Sequence, residues 1–385
     1  MKILVHLDNN TSENSTALQV FDYYYAYNQS RNKHNNYRAD CEIKIGKNMS
    51  IEAGAVNIGF YHMPKTPVDS DKFDFLIVDG GQHHLEVCTP EMYRAFVELE
   101  NCYFLTSAVV VDGYPGADKL LTFPFTQITR DFMTRPFYPQ YYDRGSQKIE
   151  NSRQNIIYIN GQNRPHRRYM SDLLEAIVGT AMTIRKNNYP TASTLLDSFF
   201  ETRQDTQFRE FVNNYCANED TIDQETQGYY DRSIQIGIDQ KFGRSPPGFF
   251  VIDEYLAYHC VVFPETTWLN DEVWITEKLL KCAITKSIPW PIAGSNTDVL
   301  YNQLGFKTAW NLLPEQLQSY NYEKDHIARY RMCAEAINWM AQHPEILVSA
   351  QAQDLVEHNY NYFFSNTIEA LGPIKLDQIL RKYSK

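Results

Sequence analysis

Short apolar runs separated by polar turns dominate the first third of the chain. Lys2–Leu7, Ala55–His62, Phe73–Val78 and Tyr103–Val111 each carry the dense aliphatic and aromatic content of a buried strand. The last two run into Asp79-Gly80-Gly81 and Asp112-Gly113, which are tight-turn signals. Between them, Pro90–Leu99 has helical spacing. Strands alternating with helices predict a parallel sheet whose ligand loops sit at the strand carboxyl ends. The segment Asn9–Asn48 is polar and rich in Asn, Ser and Tyr, and reads in part as a long surface loop.

The pattern breaks at Tyr142–Arg153, a charged stretch of linker composition, and then restarts. A strand over Asn155–Asn160 is followed by a Gly- and Asn-containing loop and a helix from Arg167 to Lys186. Further on come a strand at Tyr258–Phe263, a helix at Trp274–Lys286, a strand at Ser287–Ile292 and a helix at Asn296–Leu304. Residues 200–245 are polar with a faint helical pattern, and Glu323–Lys385 is mostly helical. The expected division is an α/β domain over 1–150, a second over 151–365 and a helical tail over 366–385. A cleft between two such domains is a natural place for a nucleotide-containing ligand.

Composition narrows the function classes. The 385 residues suffice for two cores. A net charge of -11 excludes broad counterion-releasing contact with nucleic acid or an anionic membrane, while leaving room for one local basic pocket. Seven cysteines without a CxxC pair read as buried thiols of a reducing compartment. The opening apolar run is too short for a signal peptide, and no stretch approaches the ~18 apolar residues of a membrane span. The expectation is a cytoplasmic protein without membrane insertion.

Two stretches carry candidate chemistry. In Val261–Lys278 a buried strand ends at Glu265, and a helix start carries Glu277 and Lys278. A lysine beside the N–H groups of a helix N-terminus makes an anion site, and a neighbouring carboxylate can accept from ribose hydroxyls. The same residues also fit the ordinary charged first turn of an amphipathic helix. In Asn160–Tyr169, the cations Arg164, His166, Arg167 and Arg168 gather where another helix begins. Cations there oppose the helix dipole unless an anion sits between them, so phosphate binding and a solvated basic turn both stand.

The run FPETTWLNDEVWITEK, with the Pro165-His166-Arg167 loop, Leu304-Gly305-Phe306-Lys307-Thr308 and HNYNYFF near Tyr362, resembles the family-10 α1,3-fucosyltransferases and virally encoded glycosyltransferase-like proteins. The resemblance covers roughly residues 155–365. It implies the GT-B architecture: an α/β fold of two Rossmann-like domains facing a cleft, the second holding a nucleotide-sugar donor. No metal and no prosthetic group are implied. On the donor side it points to Asn160, His166, Arg167, Glu265, Trp274, Thr276, Glu277 and Lys278. Arg167 and Lys278 match residues that meet the diphosphate, and Glu277 matches a glutamate that holds the ribose. Thr266 and Trp274 stand where the family has Asn and Tyr, so no particular sugar or nucleotide is carried over.

The implied reaction is an inverting transfer with a general base from the first domain. Asp79 and Asp112, at strand ends, are the candidate catalytic carboxylates, with Asp8 and Glu86 behind them; each also fits a turn-capping role. His83 and His84 could act as acceptor contacts or base, and no third ligand at metal spacing accompanies them. The aromatic and arginine-rich tract Phe123–Tyr142, with Arg130, Arg135 and nearby Arg144, reads as an acceptor platform or as core packing. The acceptor is a glycan or a hydroxymethylated base in viral DNA. The alternative is a non-catalytic nucleotide- or glycan-binding module of the same fold. A dinucleotide oxidoreductase is disfavoured, because no GxGxxG follows Lys2–Leu7.

Overall fold

The computed structural model describes residues 1–8, 20, 21, 24, 42–62, 71–79, 98–106, 108–114, 116–122, 153–160, 165–175, 180–184, 207, 210, 211, 252–265, 268, 270–274, 276–364 and 371–384. In chain order the elements are β1 (Lys2–Leu7), β2 (Glu42–Lys47), β3 (Val56–His62), β4 (Phe75–Asp79), β5 (Cys102–Thr106), β6 (Ala108–Val110), β7 (Leu120–Thr122) and β8 (Gln154–Asn160). Then follow α1 (Pro165–Glu175), β9 (Thr180–Ile184), α2 (Ile252–Ala257), β10 (Tyr258–Pro264), β11 (Glu272–Trp274), α3 (Glu277–Thr285) and β12 (Ile288–Ile292). The remaining helices are α4 (Thr297–Gln303), α5 (His326–Gln342), α6 (Ala350–Phe364) and α7 (Leu371–Tyr383). Among the described residues, no helix is long and apolar enough to cross a membrane.

The chain forms two units, each Rossmann-like. The first comprises Met1–Ile128, Ser198–Arg203 and Asn366–Lys385; the second comprises Thr129–Asp197 and Gln204–Ser365. The sheet of the first unit has the order β2-β1-β3-β4-β5-β7 with every pair parallel. Its central strands are buried on both faces, which explains their continuous apolar runs. The sheet of the second unit has the order β12-β10-β8-β9, again all parallel. In each sheet the first strand lies between the second and third. The chain therefore winds outward in one direction and then in the other, leaving a topological switch point beside that first strand.

Four local outcomes differ from the sequence pattern. Within the segment expected as loop, Glu42–Lys47 is a strand: Ile43 and Ile45 alternate onto the core while Glu42 and Lys44 pair on the outer face. The helix expected to reach Lys186 stops at Glu175, and Thr180–Ile184 pairs with β8 instead. Thr180, Thr183 and Ile184 are β-branched, and the free edge of β8 supplies their hydrogen-bond partners. Tyr103–Val111 is divided into β5 and β6. The helix expected from Trp274 begins at Glu277, because Thr276 serves as its N-cap and its hydroxyl accepts from the Lys278 N–H.

The segment expected as a tail packs into the first unit. Leu376, Ile379, Leu380 and Tyr383 recur at the i, i+3, i+4, i+7 spacing of one helix face and join the core of β1, β3, β4 and β5. Tyr24 donates to Asp377 from the other side at 3.0 Å. The Tyr142–Arg153 break, the helix at Pro90–Leu99 and residues 200–245 lie outside the described residues, except for Arg153, Glu98, Leu99, Gln207, Glu210 and Phe211.

In the second unit, two sequence motifs meet. Helix α6 straps the loop after α4: His358 donates to the Gly305 carbonyl at 2.8 Å, and Tyr362 donates to the Leu304 carbonyl. Asn359 accepts from the Lys307 N–H at 2.9 Å and donates to its carbonyl at 2.7 Å. Gly305 has φ +93, and a Cβ there would lie 2.4 Å from Tyr362 Cζ. In the first turn of α4, the fully buried Asp298 accepts from Thr308 and, at 2.9 Å, from Tyr320, which itself takes the Trp290 indole N–H at 3.1 Å. Burial pushes the Asp298 carboxyl up to about 6, against the pull of those two hydroxyls.

Gly305→Ala is expected to cost about 2–4 kcal/mol, combining left-handed backbone strain with displacement of the pinned Tyr362 ring. Gly113→Ala, at φ +82 with open space around it, should cost only about 1 kcal/mol; urea denaturation compares the two. A second expectation concerns pH. Because Asp298 is raised in the folded state, its stabilising contribution is complete below about pH 4 and is lost as pH rises through about 6. The stability of wild type relative to Asp298→Asn should fall by about 3 kcal/mol across that window, and a flat difference would show that the carboxyl titrates alike in the folded and unfolded chain.

Candidate functional site

The carboxyl ends of β8 and β10 flank the switch point of the second sheet, since β8 leads through α1 to β9 on one side and β10 leads to β12 on the other. Most of the donor-side residues expected from sequence converge there. Asn160 ends β8, His166 and Arg167 open α1, Glu265 follows β10, Trp274 ends β11, Thr276 caps α3, and Glu277 and Lys278 begin it. Asn160, Trp274 and Glu277 are placed by backbone alone.

Glu265 is the centre of the arrangement. It is only 1% exposed, and its N–H donates to the Ile292 carbonyl at 2.8 Å, fixing it at the edge of the sheet. Its carboxylate accepts from Tyr301 at 2.8 Å, from the Thr276 hydroxyl at 3.1 Å to both oxygens, and from the Lys278 ammonium at 3.2 Å. Its carbonyl accepts from Arg167 Nη2 at 3.1 Å and lies 3.4 Å from His166 Nε2. A buried carboxylate is costly unless a cation and hydrogen-bond donors occupy its lone pairs, and Glu265 has an ammonium and two hydroxyls. Burial, followed by the Glu265 charge, pushes the Tyr301 phenol well above its usual range, so Tyr301 is a fixed donor.

The cations are held from behind. Tyr158, buried in β8, donates to the Arg167 carbonyl at 2.9 Å, and Ser171 does the same from the next turn. This anchors the first turn of α1, where Pro165 sets the helical backbone angle. The Trp268 ring packs against the His166 ring, tilted by 52° with centroids 4.5 Å apart. Arg167 is 3% exposed, so its guanidinium belongs to the buried wall of the site.

The loop before α3 is fixed to the end of β12 by Arg329, in the first turn of α5. Arg329 donates to the Ala293 carbonyl, to Asn270 Oδ1 and to the Glu323 carbonyl, each at 3.0 Å, and also contacts His326 Nδ1. Burial and the Arg329 charge push His326 down to about 3, so its ring is neutral; burial lowers Arg329 to about 10. Asp271, at φ +65, accepts from Asn296 at 2.8 Å across the same junction.

The candidate bases lie in the first unit. Asp79 closes β4 beside His62, at the carboxyl edge of the sheet, and is 1% exposed. Asp8 follows β1 on that same edge, with its N–H on the Phe60 carbonyl. Asp112 is exposed in a turn whose Tyr114 N–H returns to the Val111 carbonyl, with Gly113 at φ +82. Glu86, His83, His84, Arg164 and the Phe123–Tyr142 tract lie outside the described residues.

Sequence reasoning missed Tyr301, Trp268 and Arg329. Tyr301 follows Val299 and Leu300 in a short helix where a tyrosine reads as core, and only its contact with Glu265 marks it out. Trp268 was legible as a loop aromatic three residues after Glu265, but nothing in the spacing pairs it with His166.

No family model and no curated protein matches the chain. Among solved structures, a crystal structure of an α1,3-fucosyltransferase aligns over 99% of this chain and 90% of its own at 10% identity, with a TM-score of 0.44. A wall teichoic acid polymerase aligns over 100% of this chain and 90% of its own at 10% identity, with a TM-score of 0.28. At such scores, the chemistry of the site rests on its own residues.

Lys278→Ala removes the cation paired with a buried carboxylate. It is expected to destabilise the protein by about 2–4 kcal/mol. Adding Glu265→Gln to that variant should recover part of the loss, because the stranded charge is gone. Urea midpoints of the two single variants and the double variant check this, and a double variant less stable than Lys278→Ala would contradict the pairing.

Proposed function

We propose that this chain is a GT-B glycosyltransferase that moves a sugar from a nucleotide-diphosphate donor to an acceptor hydroxyl. The observation that carries the reading is the Lys278 ammonium, held by Glu265 and Thr276 at the N-terminus of α3 beside the switch point of a parallel sheet. A diphosphate placed there meets a fixed cation and the positive end of a helix dipole, with Arg167 behind it. The resemblance of the ITEK and Pro-His-Arg segments to donor-binding motifs supports the same placement.

Breaking the anomeric bond puts charge on the departing nucleoside diphosphate. In this reading Lys278, Arg167 and the N–H groups of α3 take that charge, a pre-organised arrangement that needs no metal. Glu277, the first residue of α3, meets the ribose. The acceptor hydroxyl loses its proton to a carboxylate of the first unit as the sugar inverts. Asp79 is the better candidate, because it stands at a strand carboxyl end, whereas Asp112 occupies an exposed turn. A net charge of -11 favours a glycan over a hydroxymethylated DNA base as acceptor.

A thermal-shift panel of ADP, CDP, GDP and UDP should contain at least one nucleotide that raises the melting midpoint, since a ligand bound only by the folded state stabilises it by mass action. Transfer from the corresponding nucleotide sugars to glycan and hydroxymethylated-DNA acceptors should follow. Asp79→Asn should lower kcat by about 100-fold or more while leaving nucleotide binding intact. A panel in which no nucleotide shifts the midpoint overturns the reading.

A further inference from the structure

We propose that Tyr301 and Glu265 are positioning residues that aim the Lys278 ammonium at the donor diphosphate, and that Glu265 does not itself bind the donor. The inference rests on the donor-site reading above and deepens it. It assigns Glu265 a role different from that of a donor contact, and it brings in Tyr301, from a helix that no donor motif includes.

The geometry is that of a carboxylate enclosed by three donors. An ionised Glu offers about four lone-pair directions. Tyr301 occupies one on Oε1, Lys278 occupies one on Oε2, and the Thr276 hydroxyl reaches both oxygens at 3.1 Å. With 1% of the residue exposed among the described residues, the carboxylate presents almost no surface to a ribose or sugar hydroxyl. Lys278 differs: 12% of its side chain is exposed, and two of its three N–H donors go to Glu265 and Thr276, leaving the third for a ligand oxygen. A lysine is otherwise a flexible point charge on a four-carbon stem. Two fixed acceptors remove that freedom before the ligand arrives, which is the pre-organisation that makes an ammonium effective against developing charge.

Tyr301 determines where Glu265 points. Its hydroxyl reaches Oε1 at 2.8 Å from the fully buried face of α4, and α4 is itself braced by Asp298, Thr308 and Tyr320. Phenylalanine at 301 would keep the ring and its packing but release Oε1. The carboxylate could then rotate, and the ammonium would follow it. Tyr301 thus acts on the diphosphate only through Glu265 and Lys278.

The test is a double-mutant cycle on nucleotide affinity. The probe is whichever of ADP, CDP, GDP and UDP gives wild type the largest thermal shift, and its Kd is measured by calorimetry below the melting range of every variant. Lys278→Ala is expected to weaken binding about 10–100-fold, and Tyr301→Phe about 3–10-fold. Tyr301→Phe added to Lys278→Ala should bring no further loss. Glu265→Gln supplies a second arm: it too should have no further effect on affinity once Lys278 is gone. Multiplicative losses in the double variants would overturn the inference and return Glu265 to the donor, while leaving the donor-site reading intact. Failure of wild type to bind any of the four nucleotides would overturn both.

Discussion

A buried carboxylate must find its hydrogen bonds inside the protein, and Glu265 determines much of what surrounds it. Held at the end of β10 by its own N–H, it draws in a tyrosine from α4, a threonine that caps α3 and a lysine from the first turn of that helix. Its backbone carbonyl takes an arginine from α1. One residue thus couples three helices to the sheet edge. The cost of removing that charge from water is offset only because every contact is made together. The outcome is a cation fixed in position before any ligand binds.

The sheet topology decides why this happens at that place. In an all-parallel sheet whose first strand lies between the second and third, the connections leave on opposite faces, and the ends of β8 and β10 are left uncovered by a crossover. Helix N-termini then point at the same spot from two sides. The opposing cations at the start of α1 and the cap of α3 are local oddities along the chain but complementary in space. The brace at Arg329 and the buried Asp298 network serve the same end, since they fix the loop that delivers Thr276 and the helix that delivers Tyr301.

The reach of sequence reasoning follows contact range. Strands such as β1, β3, β10 and β12 were legible because burial on both faces demands a continuous apolar run, whatever the neighbours are. The charged turn at Glu277-Lys278 was legible as a helix start, although the boundary moved by three residues because Thr276 caps the helix. By contrast, Thr180–Ile184 carries a pattern that a helix could also use, and the free edge of β8 decided the matter. The Leu304–Thr308 and HNYNYFF motifs were each visible, but their mutual strap through Asn359 and Tyr362 spans more than fifty residues.

By itself, the sequence determined an α/β chain with two strand–helix series, a cationic helix start near Arg167 and a Glu–Lys pair at a second helix start, because these depend on local periodicity and on charges within one turn. Only the tertiary structure decided that α7 returns to complete the first core, that Glu265 is consumed by Lys278, Thr276 and Tyr301, and that Arg167 sits in the buried wall behind them. Each of those outcomes requires knowing which group fills a lone pair or a hydrophobic face: even within Val261–Lys278 the spacing does not say that Lys278 turns back onto Glu265, and Tyr301, Arg167 and α7 reach their partners from 36 or more residues away.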